Sequence, residues 1–208
     1  MQKNMKFILG TKEYMTQVFD DNGQVYPVTV ISAGPIVVTQ VKTAAVDGYD
    51  AVQVGYGTRS SKRISKPVKG HLKDLGNFAH LKEFRVEGEN TFKVGDKLDT
   101  SLFKEGEKLT VSAVSKGKGF QGVIKRYGFK GGPRSHGQKH SEREPGSLGG
   151  GGRDGGRVAK GKRMGGRMGN DRITVKNLKL IQIDSENNAI FVEGAVPGRR
   201  GALVEIRG

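Results

Sequence analysis

Three glycines, Gly117, Gly119 and Gly122, form the pattern G-x-G-x-x-G in the stretch GKGFQG, directly after a predicted strand. In dinucleotide-binding proteins this pattern works because a helix begins at the glycines and points its N-terminal N–H groups at the pyrophosphate. Here the continuation VIKRYGFKGGPRSHG is broken by glycines and a proline and predicts no long helix. Glu142 has the spacing of a ribose-binding acid but lies beyond those breaks. We therefore expect no nucleotide cofactor.

His136 and His140 are the next candidates, because imidazoles four residues apart would share one face of a helix and could bind a metal ion. Gly137 and Pro133 disfavour that helix, and the chain has no cysteine and no close third ligand. We expect no metal site, and interpret both histidines as groups that donate to phosphates or stack on bases. The acids and serines form neither a nucleophile with a base nor a carboxylate pair, so we expect no enzyme and no small-molecule substrate.

Positive charge is the strongest chemical signal in the chain. The sequence has 36 Lys and Arg against 21 Asp and Glu, for a formal net charge of +15. Residues 116–172, called the basic loop below, hold 15 Lys and Arg, four acids and 18 of the 33 glycines, and so carry +11 of that charge. A field of this sign favours polyanions. The apolar side chains of the basic loop are too sparse to build a core of their own.

Composition alone leaves two interpretations of the basic loop open: a solvated, disordered linker and an RNA-binding segment. The second is favoured because predicted strands bracket the loop, and long loops between elements of one domain are usually functional. Glycine lets the backbone lie against nucleic acid, arginine gives bidentate phosphate contacts, and Phe120 could stack on a base. We expect the loop to have no fixed fold until RNA supplies its phosphates. The predicted RNA-binding residues are Arg59, Lys62, Arg63, Lys66, Lys116, Lys118, Phe120, Gln121, Lys125, Arg126, Lys130, Arg134, His136, Lys139, His140, Arg143, Arg153, Arg157, Lys160, Lys162, Arg163, Arg167 and Arg172.

The elements that must position these residues are short predicted strands on both sides of the basic loop. Strand patterns precede it in KFILGTKEYMTQVFD, VYPVTVISAG, PIVVTQVKT, YDAVQVGYG, FRVEG and KLTVSAVSK, and follow it in RITVKNLKLIQID, AIFVEGAV and ALVEIR. Tight turns between short strands indicate an antiparallel barrel or sandwich. Because each flank is too small to form a comfortable domain, the sequence predicts a mainly β fold in which residues 1–115 and 173–208 close one barrel and residues 116–172 form a long irregular extension.

A small helical insertion is predicted within the first flank, over about residues 58–82. Ser65 has the place of a helix cap, Pro67 follows it, and Val68, Leu72 and Leu75 recur at helical spacing before a glycine. The basic cluster that contributes Arg59 to Lys66 opens this insertion.

Targeting signals are not visible in the sequence. The first residues, MQKNMKFILGTKEYM, lack the apolar stretch of a signal peptide, and no apolar run reaches the length of a membrane span. Absence of cysteine is compatible with a reducing compartment. We expect a soluble cytoplasmic protein with no membrane partner.

Several stretches taken together resemble the family of large-subunit ribosomal protein three, in its bacterial-type form. They are GKGFQGVIKRYGFKGGPRSHG, REPGSLG, GKRMGGRMGNDRITVKNL and VEGAVPGRRG, and the opening MKFILGTKEYMTQVF and the insertion KRISKPVKGHLKDLG are similar to the family as well. The resemblance covers essentially the whole chain. It implies a translation-protein-type β-barrel, and a non-enzymatic, early-assembling component of the large ribosomal subunit with neighbouring ribosomal proteins as partners. It also implies that the extension threads into large-subunit (23S-type) rRNA toward the peptidyl transferase centre.

Two departures from the family pattern concern the loop tip. Many members have a glutamine that becomes methylated after the element that reads PGSLG here, whereas this chain has Gly150, so we expect no such modification. Glu142 and Glu144 also place acids where RNA is expected. Two rival functions stay open at this point: an RNA-modifying or nucleotide-using enzyme, and a free-standing RNA chaperone that grips RNA with the basic loop.

Overall fold

A computed structural model describes residues 6–20, 22–86, 92–150 and 155–208. Its regular structure consists mainly of strands. The strands are β1 (Phe7–Phe19), β2 (Val25–Ala33), β3 (Ile36–Lys42), β4 (Ala51–Thr58), β5 (Phe78–Arg85), β6 (Lys97–Leu98), β7 (Lys108–Val114), β8 (Phe120–Gln121), β9 (Gly166–Arg167), β10 (Arg172–Asp184), β11 (Ala189–Glu193) and β12 (Leu203–Arg207). The α-helices are α1 (Ala44–Asp47), α2 (Lys66–Leu72) and α3 (Val123–Tyr127), and three 3₁₀ turns cover Ser61–Arg63, Lys73–Leu75 and Thr100–Leu102.

The central body is a closed antiparallel barrel with the strand order β1-β12-β7-β10-β11-β2. Its strands come from both flanks of the basic loop, as the sequence predicts. The strands β7 and β10, which precede and follow the loop, are direct neighbours in this barrel, with Val114 opposite Arg172. The predicted closed, mainly β fold is confirmed.

Strands β3 and β4, which the sequence analysis assigns to the barrel, lie outside it, together with β5 and β6. They form a second sheet in the order β5-β4-β3-β6. The chain leaves the barrel after Ala33, turns at Gly34-Pro35, and pairs Ile36 with Leu98 of β6. The expectation of one barrel for all strands is therefore wrong, because alternating apolar residues predict a strand but do not say which sheet the strand joins.

The barrel and the second sheet share one apolar core. Phe7 of β1 and Phe84 of β5 are both fully buried, and their rings stack with centroids 4.4 Å apart and planes inclined by 15°. Core residues from both sheets, including Ile31, Val54 and Ile206, belong to the same buried cluster. The second sheet therefore buries its apolar face against the barrel instead of forming a core of its own.

The helical insertion is shorter than predicted. Helix α2 begins directly after Ser65, with Pro67 in its first turn, and its Leu72 is fully buried, as the spacing of apolar residues suggests. A 3₁₀ turn then ends at Leu75, and β5 already begins at Phe78. The stretch that starts at Phe78 falls within the predicted insertion, but it is a strand in the structure because it pairs with β4.

The chain divides into two compact units, Met1–Val114 with Arg172–Gly208, and Ser115–Asp171. The second unit contains the short strand pair β8-β9 and helix α3. Among its described residues only Val123 is a buried apolar side chain. None of the helices in the described ranges is long and apolar enough to cross a membrane.

Candidate nucleic-acid interface

Backbone hydrogen bonds hold the two arms of the basic loop together near its ends. Ser115 donates its N–H to the carbonyl of Asp171 over 2.9 Å, and Lys118 donates to the carbonyl of Met168 over 2.9 Å. Farther along, β8 and β9 pair as antiparallel strands. The described ends of the loop thus have regular structure, contrary to the expectation of a segment with no fixed fold, because backbone pairing needs no apolar core.

The arms approach so closely at Gly169 that no side chain fits there. A Cβ at this position would lie 2.1 Å from the carbonyl oxygen of Lys116, and the backbone has φ of +73°. Gly119 has a similar φ of +67° but nothing within 4 Å of the position of a Cβ. At Gly119 only the backbone conformation favours glycine, whereas at Gly169 the backbone conformation and the lack of space both require it.

We expect Gly169→Ala to open the ends of the basic loop and Gly119→Ala to leave them paired. The alanine at 119 suffers the left-handed backbone alone, a cost of about 1–2 kcal/mol, whereas the alanine at 169 must also push the arms apart. In hydrogen exchange, the amides of Lys118 and Met168 should exchange at least about tenfold faster in Gly169→Ala than in Gly119→Ala. Equal rates in the two variants would contradict the close approach.

Phe120 presents an apolar ring to solvent at this paired end. Its side chain is 79% exposed, and the strand register places it directly opposite Arg167. The ring lies against Gly165, where a Cβ would come within 3.3 Å of it. Residues opposite each other on paired strands share a face, so an aromatic surface and a guanidinium are available side by side to one nucleotide.

Helix α3 gathers a second group of cations around one aromatic ring. It begins right after Gly122, so a helix does follow the glycine pattern, but it has five residues and ends at Tyr127. The guanidinium carbons of Arg126 and Arg163 lie 5.0 and 5.6 Å from the centre of the Tyr127 ring. Arg126 also donates to the carbonyl of Met164 over 2.9 Å. The helix thus ties the outgoing arm to the returning arm and orients two arginines.

Glu142, which has the spacing of a ribose-binding acid, has a structural role within the basic loop. Glu142 forms an ion pair with Arg134, and its carbonyl accepts the N–H of Gly132 over 2.9 Å. These contacts close a turn within residues 131–144. Glu142 therefore neutralises a neighbouring cation of the same loop, and the ribose-binding interpretation of its spacing has no support in this geometry.

The predicted RNA-binding residues are almost all accessible. Arg153 lies outside the described residues. Of the others, Gln121 and Arg126 are half-buried and the remainder are exposed. His136 has a left-handed backbone with φ of +59° and lies in no helix, and within the described ranges no three His, Asp or Glu side chains cluster as metal ligands.

The predicted residues of the barrel-bearing unit have different surroundings. Arg59, Lys62, Arg63 and Lys66 are exposed where β4 leads into the insertion. Arg172, in contrast, is already paired with the nearly buried Glu205, which lies 3.2 Å from the ammonium of Lys82 as well. Its guanidinium holds the start of β10 in the barrel, a role that the sequence pattern does not reveal.

Two exposed arginines are missing from the set predicted from sequence. Arg199 and Arg200 lie in the turn between β11 and β12. The ammonium of Lys12 donates to the carbonyls of Val196 and Gly198 at the start of this turn. Adjacent arginines in a turn with a proline and glycines are a visible signal, but they lie outside the charge-rich stretch that ends at Arg172.

Comparison with known proteins gives a consistent set of relatives. A model of the Ribosomal protein L3 family matches residues 74–190 of the chain. The large ribosomal subunit protein uL3 of Herpetosiphon aurantiacus is 49% identical over 200 residues, which cover 96% of this chain and 94% of that protein. The uL3 protein of Streptomyces coelicolor is 48% identical over 100% of this chain and 97% of its own length, and the uL3c protein of Guillardia theta is 45% identical over 96% and 98%. The similarity therefore includes the barrel strands and the basic loop.

Proposed function

The chain belongs to the ribosomal protein L3 family, and from this premise we infer that it is a structural constituent of the large ribosomal subunit and not an enzyme. Its partners are ribosomal RNA and other ribosomal proteins. We propose further that the RNA is the 23S-type rRNA, that the protein acts early in subunit assembly, and that the ribosomes in question are cytoplasmic. The basic loop would support the region near the peptidyl transferase centre.

The observation that carries the RNA-binding proposal is the combination of charge and exposure in the basic loop. The loop carries +11 in 57 residues, and its described cations, apart from the half-buried Arg126, are exposed on arms joined by backbone hydrogen bonds. A core would hide side chains, whereas this arrangement leaves them available to phosphates. Contacts to the RNA backbone should dominate, because paired RNA hides its major-groove base edges.

We propose that two parts of the chain have different roles. The first is the barrel body, residues 1–115 and 173–208, and the second is the loop, residues 116–172. The barrel would supply stability, and the loop would supply most of the phosphate contacts. Arg59, Lys62, Arg63 and Lys66, with the newly noted Arg199 and Arg200, would add contacts on the barrel-bearing unit.

Gradient sedimentation of a cell extract tests the inferred function. A ribosomal constituent that makes many phosphate contacts should stay with the large subunit at moderate salt and leave it at high salt, since each phosphate contact steepens the salt dependence of binding. A free-standing RNA chaperone would sediment mainly near the top of the gradient. A nucleotide-using enzyme would be stabilised in a thermal-shift screen with nucleotides, and we expect no such stabilisation.

His80 offers a local reporter for the predicted contacts of the helical insertion. Partial burial and, after it, the positive charges of Lys82 and Arg59 hold the pKa of His80 below its usual range. Phosphates bound at Arg59 would offset that positive charge, so adding large-subunit rRNA should raise the pKa of His80, measured by NMR titration. Arg59→Gln should raise it without RNA. If RNA binds and the pKa of His80 does not move, the cluster is not a phosphate site.

A further inference from the structure

The β1-β2 hairpin carries no basic residue beyond Lys12. From Glu13 to Val41 the sequence contains no lysine or arginine, although these types account for 36 of the 208 residues. The same stretch holds the acids Glu13, Asp20 and Asp21. A segment with this sign of charge repels phosphates. In a protein whose net charge is +15, the hairpin is thus an unsuitable region for RNA.

One face of the hairpin carries a row of exposed apolar side chains. Phe19 and Val25 are directly opposite each other in the register, and they are 62% and 46% exposed. Met15, four residues before Phe19 on the same face, is 52% exposed, and the exposed Pro27 lies two residues after Val25. The exposed Gln17 lies between Met15 and Phe19, opposite Pro27. Single exposed apolar residues are common, but four of them grouped on one face mark an interaction site.

The outer edge of β1 is also open along this row. On one side β1 pairs with β2 from Gly10 to Phe19, but on the other side it pairs with β12 only from Phe7 to Thr11. In the part of the chain that the structure describes, no strand pairs with the outer edge of β1 over residues 13–19. An open strand edge beside apolar side chains is a template for another polypeptide and not for a nucleic acid.

We propose that the β1-β2 hairpin is a docking surface for a basic protein of the large subunit. The partner packs apolar side chains on Met15, Phe19 and Val25 and directs lysines or arginines at Glu13 and Asp20. This inference rests on the proposed function in one respect, namely that the partner belongs to the same large ribosomal subunit. Charge complementarity selects the partner's class: a protein that shares this RNA must itself carry cations, and the hairpin is an acidic, apolar surface that such a protein can bind.

Carboxylate-to-lysine cross-linking of purified large subunits tests the proposal. A carbodiimide joins carboxylates directly to amines in contact with them, and trypsin then releases the hairpin acids in a single peptide, residues 13–42, because no basic residue interrupts it. We expect this peptide joined through Glu13 or Asp20 to a lysine of a different large-subunit protein. Cross-links only to a second copy of this chain, ultraviolet cross-links of this peptide to RNA, or full labelling by a small amine would overturn the proposal.

A matched pair of serine variants tests the docking surface and the RNA contacts of the basic loop independently of each other. Phe19 and Phe120 are both exposed phenyl rings, so serine at either position should leave thermal unfolding nearly unchanged. Phe19→Ser should lower the yield of the protein cross-link at least about fivefold and leave the affinity for rRNA unchanged. Phe120→Ser should weaken rRNA binding and leave the cross-link in incorporated protein unchanged. Loss of rRNA affinity in Phe19→Ser would refute the docking surface, whereas unchanged rRNA affinity in Phe120→Ser would count only against the RNA contacts of the loop.

Discussion

A chain in which two glycines replace residues 120–168 should keep its barrel and lose most of its affinity for ribosomal RNA. The barrel survives because β7 and β10 are neighbours, and Ser115, which flanks the deletion, keeps its hydrogen bond to the carbonyl of Asp171. The deletion removes twelve Lys and Arg and three acids. If half of those cations contact phosphates, the slope of log affinity against log salt should fall by about 4, and affinity at moderate salt should fall at least about a hundredfold.

Thermal unfolding and rRNA binding at two salt concentrations measure both parts of this prediction. The matched control is the full-length chain with the same twelve cations changed to glutamine, which retains the loop and should lose a similar share of the affinity. An unfolded deletion variant would show that the barrel depends on the loop. A folded variant with an unchanged salt slope would show that the phosphate contacts lie elsewhere.

Phe84→Ala should be among the most destabilising single substitutions in the protein. The ring is fully buried and stacks on Phe7, so its removal leaves a cavity between the second sheet and the barrel. Truncating a buried phenylalanine costs about 3–5 kcal/mol of unfolding free energy. Because both sheets share one core, denaturant unfolding should remain a single transition with a lower midpoint.

Phe120→Ala is the control for this substitution, since it deletes the same ring from a position that is 79% exposed. It should change the unfolding free energy by no more than about 0.5 kcal/mol. A loss below about 1 kcal/mol in Phe84→Ala, or separate transitions for the two sheets, would contradict the shared core.

The sequence predicts the strands well and their arrangement less well. The pattern of alternating or β-branched apolar residues identifies β2, β4 and β10 as strands. It does not distinguish the barrel from the second sheet, since β3 and β4 have the same pattern as the barrel strands. That choice depends on the turn at Gly34-Pro35 and on the pairing of Ile36 with Leu98, 62 residues later.

For the candidate site, too, the sequence predicts the location but not the contacts. Charge and glycine content locate the basic loop, because they are properties of composition. The contacts that shape it are backbone bonds, such as that from Lys118 to Met168, and these leave no trace in residue type. Helix α3 is too short for a periodic signal, and the pairing of Arg134 with Glu142 and of Arg172 with Glu205 needs the fold to bring the partners together.

The central claim is that the cations of the basic loop bind ribosomal RNA through its phosphates. A cryo-electron microscopy map of the large subunit that contains this chain tests that claim most directly. The account predicts that the exposed Lys and Arg of residues 116–172 lie within hydrogen-bonding distance of phosphate oxygens along the length of the loop. A map in which the loop lies in solvent, or contacts only other proteins, would contradict it.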